Sequence, residues 1–105
     1  MIDKKDSKYK ELIKYSNPKT VLKKAKSIYG DDVDLSISPR KDKKYRIYDF
    51  INNKYIDFGQ MGYEDFTKHK DDERRYNYLQ RSLNIKGNWK KNPFSANNLS
   101  IFLLW

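Results

Sequence analysis

The sequence has 105 residues, enough for one small domain, with 37% hydrophobic residues, 15% aromatic residues and a formal net charge of +9. It contains no cysteine, which excludes disulfide bonds, thiolate metal sites and cysteine nucleophiles. No apolar stretch approaches the roughly 18 residues of a membrane span, and no apolar signal region stands near the first residue, so we expect a protein that is neither secreted nor transmembrane.

The positive charge is concentrated toward both ends of the chain. Residues 1–30 carry a net charge of +6, residues 31–66 carry −2, and residues 67–105 carry +5. A basic excess in two separate segments is typical of a polyanion-binding surface that is assembled on folding. The alternative is that the lysine-rich composition reflects an AT-rich genome and only keeps the protein soluble.

Residues 1–15 form a basic segment with weak periodicity, whose composition allows it to be flexible, and residues 16–105 are expected to form one compact domain.

The first predicted element is a helix. The stretch SNPKTVLKKAKSIYG predicts a helix over 18–29, capped by Ser16 or Asn17 and ending at Gly30. One face of this helix is apolar: Val21, Leu22, Ala25, Ile28 and Tyr29. Another face is a basic stripe formed by Lys19, Lys23 and Lys26.

A three-stranded sheet is predicted next. Residues 33–37 alternate in polarity, which indicates a short strand, and residues 44–50 and 54–58 flank Asn52-Asn53, which suits a tight hairpin turn. Two glycines then bracket GQMG, where positive φ angles would let Phe58, Tyr63 and Phe66 turn inward. The prediction is therefore a hairpin over 44–58 with 33–37 as a third strand.

Two further helices complete the prediction. One spans 70–83, with acidic residues in its first turn and a core face made of Tyr76, Leu79 and Leu83. A loop anchored by Trp89 and Phe94 leads to a helix over 96–104, which Ser95 caps and which turns Leu99, Phe102 and Leu103 inward. The apolar ending IFLLW should be docked into the core. The expected fold class is α+β, a small antiparallel sheet packed with two to three helices.

Residues 45–105 carry a long and compositionally unusual pattern, FGQMGYEDFTKHKD followed by ERRYNYLQR and a closing NLSIFLLW. These motifs resemble a family of short uncharacterised basic proteins encoded by giant nucleocytoplasmic large DNA viruses, and NPKTVLKKAKSIYG resembles the amino-terminal helix of that family. The resemblance implies a viral origin, and a location in the virion or in the cytoplasm and viral factory of the host cell. It implies no established activity and assigns no catalytic residue.

His69 is the only histidine and the obvious candidate for acid–base chemistry. Three interpretations stay open. The interpretation that we favour is that His69 forms a hydrogen bond with a backbone group at the start of the 70–83 helix. The second is that it contacts a ligand directly. The third is that it joins Tyr63 and Asp65 in a catalytic cluster. One imidazole with scattered carboxylates is a thin ligand set for a transition metal, so no metal site and no cofactor are expected.

The strongest candidate for ligand binding is a second face of the 70–83 helix, where Arg74, Tyr78 and Arg81 follow one another at helical spacing. Guanidinium groups bind phosphate in a bidentate manner, and a ring between them can stack on a base. The competing interpretation is local ion pairing of Asp71 with Arg74 and Arg75, whereas Arg81 has no acidic residue three or four positions before it. Together with the basic stripe, the expected nucleic-acid-binding residues are Lys19, Lys23, Lys26, Lys68, Lys70, Arg74, Tyr78, Arg81, Lys90 and Lys91.

These observations favour a non-enzymatic function. The main hypothesis is binding of nucleic acid, with DNA as the expected partner, largely without sequence specificity, for genome packaging, compaction or handling. The alternative is a virion structural or protein-interaction module that contacts other virion proteins. A small nuclease using His69 is the weaker alternative. Neither a membrane nor a small-molecule substrate is an expected partner.

Overall fold

The computed structural model describes residues 2–105 and confirms the α+β fold class. The elements in chain order are α1 Tyr9–Leu12, α2 Pro18–Tyr29, β1 Leu35–Ile37, β2 Lys43–Asp49, β3 Lys54–Gln60, α3 Phe66–His69, α4 Asp72–Leu83 and α5 Ala96–Leu99. A short 3₁₀ turn covers Trp89–Lys91, and a π-helical turn over Ser100–Leu104 continues α5. Of the predicted helices, 18–29 has the observed bounds, whereas α4 begins two residues later than predicted and α1 and α3 are additional.

The three strands form one antiparallel sheet in the order β1-β2-β3. Tyr45 pairs with Phe58 across β2 and β3, and both rings are fully buried and stacked with their centroids 5.7 Å apart. The hairpin loop spans 50–53, and Asn53 in it takes a left-handed conformation (φ 53°), which asparagine tolerates in tight turns. Asp49 holds the loop because its carboxylate accepts hydrogen bonds from the backbone N–H groups of Ile51 and Asn52.

The core lies where the sheet meets α2 and the C-terminal helical segment. The segment IFLLW is docked as predicted, since Ile101, Leu103 and Leu104 are buried. Phe102 was predicted to face inward and is instead 58% exposed. The reason is the π-helical turn, in which the N–H of Trp105 donates to the carbonyl of Ser100, five residues back, and the wider turn rotates Phe102 out.

The segment 2–15 packs onto the rest of the domain. Leu12 in α1 is fully buried in the core cluster. The ammonium group of Lys8 donates to the backbone carbonyls of Ser38, Arg40 and Lys43, so it closes the loop between β1 and β2. These contacts make the segment part of the same packed unit as residues 16–105.

The predicted core face of α4 is wrong for Tyr76 and Leu83, whereas Leu79 is partly buried. Tyr76 is 63% exposed and Leu83 is 44% exposed. The face that meets the domain contains Arg75, Tyr78 and Ser82, at helical spacing i, i+3 and i+7. Aromatic partners determine this choice, because the guanidinium of Arg75 lies 5.0 Å from the ring centroid of Phe66 and Tyr78 stacks on Trp105.

The two glycines around GQMG have the positive φ angles that the sequence predicted, 80° at Gly59 and 100° at Gly62. Phe58 is buried, but Tyr63 was expected to turn inward and is 70% exposed. Its backbone carbonyl accepts a hydrogen bond from the Lys44 ammonium at 2.6 Å, which fixes the main chain while the ring stays outside. Across residues 2–105, no helix combines the length and the apolar character that crossing a lipid bilayer requires.

Candidate functional site

An open cleft of about 710 Å³ runs along α4. We call it the α4 cleft. Its walls are β3 and the turn before α3 on one side, α4 on another, and the C-terminal helical segment on the third. A cavity of this size lies within the range of ligand pockets in proteins, about 300–1,000 Å³.

Glycine forms part of the floor of the α4 cleft. Gly59 lies in β3, where a Cβ atom would stand 2.9 Å from Leu104 Cδ1 and 3.2 Å from Lys44 Cβ. Both its φ of 80° and this close approach disfavour a side chain. The missing side chain therefore lets the C-terminal helical segment approach the strand and shape the bottom of the cleft.

Capping and stacking position α4 against this floor. The Asp71 carboxylate accepts hydrogen bonds from the backbone N–H groups of Glu73 and Arg74, which satisfies the first turn. Near its middle, Tyr78 stacks on Trp105 with ring centroids 4.2 Å apart and planes 9° apart. Because Asp71 is used as a cap, the ion pairs that the sequence suggested between Asp71 and the arginines do not form.

The cleft is positively charged, since Lys43, Lys44, Arg74 and Arg81 line it together with a single acid, Glu64. Arg74 bonds to Glu64 at 3.1 Å in an exposed pair, which a competing anion can replace at little cost. Within residues 2–105, neither Arg81 nor the ammonium of Lys43 forms an ion pair. These two side chains are therefore available to an anionic ligand.

Lys44 has a different role from the other cleft cations. Its ammonium is 3.1 Å from the Asp65 carboxylate, and both side chains are almost completely buried. Burial lowers the pKa of Lys44, while Asp65 acts in the opposite direction. The same carboxylate accepts a hydrogen bond from Thr67, whose hydroxyl also accepts from the backbone N–H of Asn17 at 2.9 Å. This pair is a structural cross-link between β2, α3 and the start of α2.

Neutral polar side chains complete the lining. Gln60, Asn77, Asn97 and Ser100 all face the cleft. Asn97 uses its amide nitrogen to donate to the carbonyl of Ser82 at 3.1 Å, so its amide oxygen remains as an acceptor. The cleft thus presents both donors and acceptors beside its cations.

His69 lies outside the cleft lining and has the capping role that we favoured. Its Nδ1 accepts a hydrogen bond from the backbone N–H of Asp71 at 2.9 Å, and Nε2 is buried without a described partner. The ring sits beside Trp105 with centroids 5.1 Å apart. Burial, followed by the charge of Arg74, lowers the pKa of His69, so the neutral imidazole is the stable form. With one nitrogen engaged and the other shielded, His69 offers no exposed group for acid–base chemistry.

The structure brings together only some of the predicted binding residues. Arg74, Tyr78 and Arg81 all line the α4 cleft, although Tyr78 stacks on Trp105 instead of presenting two free faces. The other predicted residues do not line it: Lys19, Lys23, Lys26, Lys68, Lys70, Lys90 and Lys91. Most of these are exposed, and Lys90 lies over the Trp89 ring at 5.5 Å.

The basic stripe of α2 is not part of the lining of the α4 cleft. The lysine of α2 that comes near α4 is Lys24, whose pKa is lowered by burial and by the neighbouring Arg75. At about 100° per residue, Lys24 lies roughly 140–160° around the helix from Lys19 and Lys26. Lys23 lies about 100° from Lys24, so the stripe is centred on a different side of α2 from Lys24, and none of its three lysines lines the α4 cleft.

Sequence reasoning missed Lys43, Gln60, Asn77 and Asn97 as cleft residues and Tyr63 as an exposed ring. Asn77 carried a usable signal, because it lies three residues from Arg74 and four from Arg81 on the same helix. The contributions of β2, β3 and α5 depend on tertiary packing and have no local signature. Nowhere in the described chain do three or more His, Asp or Glu side chains come together in a way that could hold a metal ion.

The fold and this cleft define a small α+β protein with a basic cleft bordered by aromatic rings. Residues 33–82, slightly under half of the chain, match the model of a family of unknown function (DUF5754). No curated protein and no solved structure matches the chain. The matched stretch runs from before β1 through most of α4, so it includes Arg74, Tyr78 and Arg81 and attaches no activity to them.

Proposed function

We propose that this protein binds nucleic acid largely without sequence specificity, through contacts of lysine and arginine with phosphate. The observation that carries the proposal is the α4 cleft, where Arg81 and Lys43 stand without ion-pair partners beside an exchangeable Arg74–Glu64 pair. A formal net charge of +9 supplies the long-range attraction that brings a polyanion to this surface.

The mechanism is the release of counterions. Each phosphate that a lysine or arginine neutralises frees condensed cations, so the logarithm of the binding constant falls with the logarithm of salt by about 0.9 per contact on duplex and 0.7 on single strands. The exposed lysines Lys68, Lys70, Lys90 and Lys91, and Lys19 and Lys23 on α2, lie outside the cleft lining and add to the overall positive charge that attracts a polyanion. No catalytic step is part of the proposal.

The proposed setting is viral. The resemblance to basic proteins of giant DNA viruses, together with the charge, supports a role in packaging, compacting or handling a viral genome. The corresponding location is the virion, or the cytoplasm and viral factory of an infected cell. DNA is the proposed natural ligand in this setting.

Fluorescence anisotropy with a labelled oligonucleotide across a salt series tests the proposal. We expect binding that weakens steeply with salt, and a double variant Lys43→Gln with Arg81→Gln that loses about two contacts from the slope. The matched control is Lys19→Gln with Lys23→Gln, which removes the same charge from the α2 stripe, outside the cleft lining, and should change the slope less. Absence of binding, or binding that is independent of salt, would overturn the proposal.

A second candidate function is protein interaction, and a specific surface favours it. At the β2–β3 hairpin tip Phe50 is 58% exposed and Ile51 is 57% exposed, and Tyr55 beside it is 54% exposed. Adjacent exposed apolar side chains are typical of contact sites for partners. Co-purification of a virion protein that resists nuclease treatment and is lost in Phe50→Ser with Ile51→Ser would support this function over nucleic-acid binding.

A further inference from the structure

We propose that the α4 cleft accepts one unpaired base and its neighbouring phosphate, so that the protein prefers single-stranded nucleic acid to duplex. This inference rests on the proposed function and names the form of nucleic acid that its site takes. This preference has no local signal in the sequence, and three features of the cleft support it.

The first feature is the balance of donors and acceptors. A phosphate group needs only donors, which Arg81 and Lys43 supply. The cleft also presents acceptors, namely the amide oxygen of Asn97 and the Glu64 carboxylate. Acceptors match a ligand that brings its own donors, as the amino groups of bases and the hydroxyl groups of sugars do. The lining therefore suits a whole nucleotide better than a phosphate alone.

The second feature is an exposed aromatic ring at the rim. Tyr63 lines the cleft and is 70% exposed, while its carbonyl is held by Lys44. A tyrosine with a fixed backbone and a free ring is a platform on which a base can stack, and such stacking is tolerant of sequence. The stacked pair Tyr78 and Trp105 forms an apolar wall on another side.

The third feature is shape. The lining residues surround a concave space of about 710 Å³. In a duplex the bases are stacked and paired, so placing one in a concave site requires unstacking and unpairing it. An unpaired base enters without that cost. The phosphate next to this base would then lie near Arg74, Arg81 and Lys43, which line the same cleft. Because these three side chains need only a phosphate, they can contact the backbone of a single strand or of a duplex.

Anisotropy titrations with a labelled single strand and with the same strand annealed to its complement, at one salt concentration, test the inference. We expect the wild-type protein to bind the single strand about tenfold or more tightly than the duplex, a factor within reach of one stacked base. Tyr63→Ala should remove most of this preference by weakening single-strand binding and leaving duplex binding nearly unchanged.

The matched control is Tyr76→Ala, which removes another exposed tyrosine, 63% exposed on α4 and outside the cleft lining, and should preserve the preference. Circular dichroism of both variants checks that they are folded. Equal affinity for the two forms, or equal weakening of both by Tyr63→Ala, would overturn this inference while the salt-dependent binding of the proposed function stands. Absence of binding to either form would overturn both.

Discussion

At the scale of single residues, Gly59 is constrained both by its backbone conformation and by close packing, whereas Gly62, three residues later, is constrained by its backbone conformation alone. Both have positive φ angles, but a Cβ at Gly59 would press on Leu104 and Lys44, whereas a Cβ at Gly62 would meet open space. The backbone strain of a non-glycine residue is common to the two sites, and the overpacking is particular to Gly59.

We therefore expect Gly59→Ala to lower the free energy of unfolding by about 2–5 kcal/mol, combining strain with overpacking, and Gly62→Ala to lower it by about 1–3 kcal/mol from strain alone. Urea denaturation of the two variants and the wild type measures both values. A Gly62→Ala variant that is as destabilised as Gly59→Ala would show that the contact with Leu104 does not constrain the strand.

His69 gives the stability of the protein a dependence on pH. Because its pKa is lowered in the folded state, the unfolded chain binds a proton more readily than the folded one. The contribution of the neutral ring is fully present above the unfolded pKa of about 6.5 and is lost as pH falls through the lower folded value. Protonation would also place a second donor opposite the N–H of Asp71.

The expected outcome is a decrease in the urea midpoint of the wild type between about pH 7 and pH 5. In His69→Asn, the amide oxygen can replace Nδ1 as the acceptor without titrating, so the decrease should be smaller even though the loss of the ring lowers stability at every pH. Glu64, Asp65, Asp71 and Arg74 surround the site and are common to both proteins. Parallel pH profiles would contradict this assignment.

At the scale of elements, the Lys44–Asp65 pair connects segments that are distant in sequence. Its members join β2 to the start of α3, and the hydrogen bonds of Thr67 and Ser16 continue the polar network to α2 and to the hydroxyl of Tyr45. Such a network is stable only when every group is satisfied, because a buried charge that loses its partner is costly.

Lys44→Met should consequently lower the free energy of unfolding by about 3–5 kcal/mol. The exposed pair Arg40–Asp42, at 3.3 Å, is the control, and Arg40→Ala should cost at most about 1 kcal/mol. Adding Asp65→Leu to Lys44→Met should recover part of the loss, because it removes the unpaired carboxylate. Chemical denaturation of the single and double variants measures these free energies of unfolding. Equal losses of stability in Lys44→Met and Arg40→Ala would refute the role of the network.

Local signals in the sequence predicted most of the elements. Asn17, Pro18 and Gly30 define α2, and the alternation around Asn52-Asn53 defines the hairpin. Local signals failed where tertiary partners decide orientation: the inward face of α4 follows Trp105 and Phe66, and the π-helical turn reverses Phe102. The same limit applies to the site, since Arg74 and Arg81 were predicted from one helix but Lys43, Gln60 and Asn97 reach the cleft from other elements.

At the scale of the whole molecule, the core is built from both ends of the chain. The stretch that matches the family model, 33–82, contributes Leu35, Ile37, Tyr45, Ile47 and Phe58 to the core cluster, while Leu12, Val21, Ala25, Phe94, Leu99, Leu103 and Leu104 come from outside it. Small domains are only marginally stable, so a piece that lacks more than half of its core should not fold.

A peptide of residues 33–82 is expected to give a disordered circular dichroism spectrum and no cooperative thermal transition. The full chain should show one transition. As a control, a variant that lacks residues 1–7 but keeps Lys8 and Leu12 should still unfold cooperatively, because the contacts of α1 with the β1–β2 loop remain. Cooperative unfolding of the 33–82 peptide would contradict the view that the core needs both ends.

The ammonium groups of Lys8 and Lys44 have a consequence for chemical labelling. Each donates to three acceptors, the carbonyls of Ser38, Arg40 and Lys43 for Lys8, and the carbonyls of Tyr15 and Tyr63 with the Asp65 carboxylate for Lys44. An amine whose three N–H groups are all engaged reacts slowly with an acylating reagent until its surroundings open, and Lys44 is in addition buried, whereas Lys8 is only partly buried. Mass spectrometry after brief acylation should find exposed Lys19 and Lys23 modified first. The rate at which Lys8 is modified would then measure how often the β1–β2 loop opens. The rate at which Lys44 is modified would measure how often the interior opens.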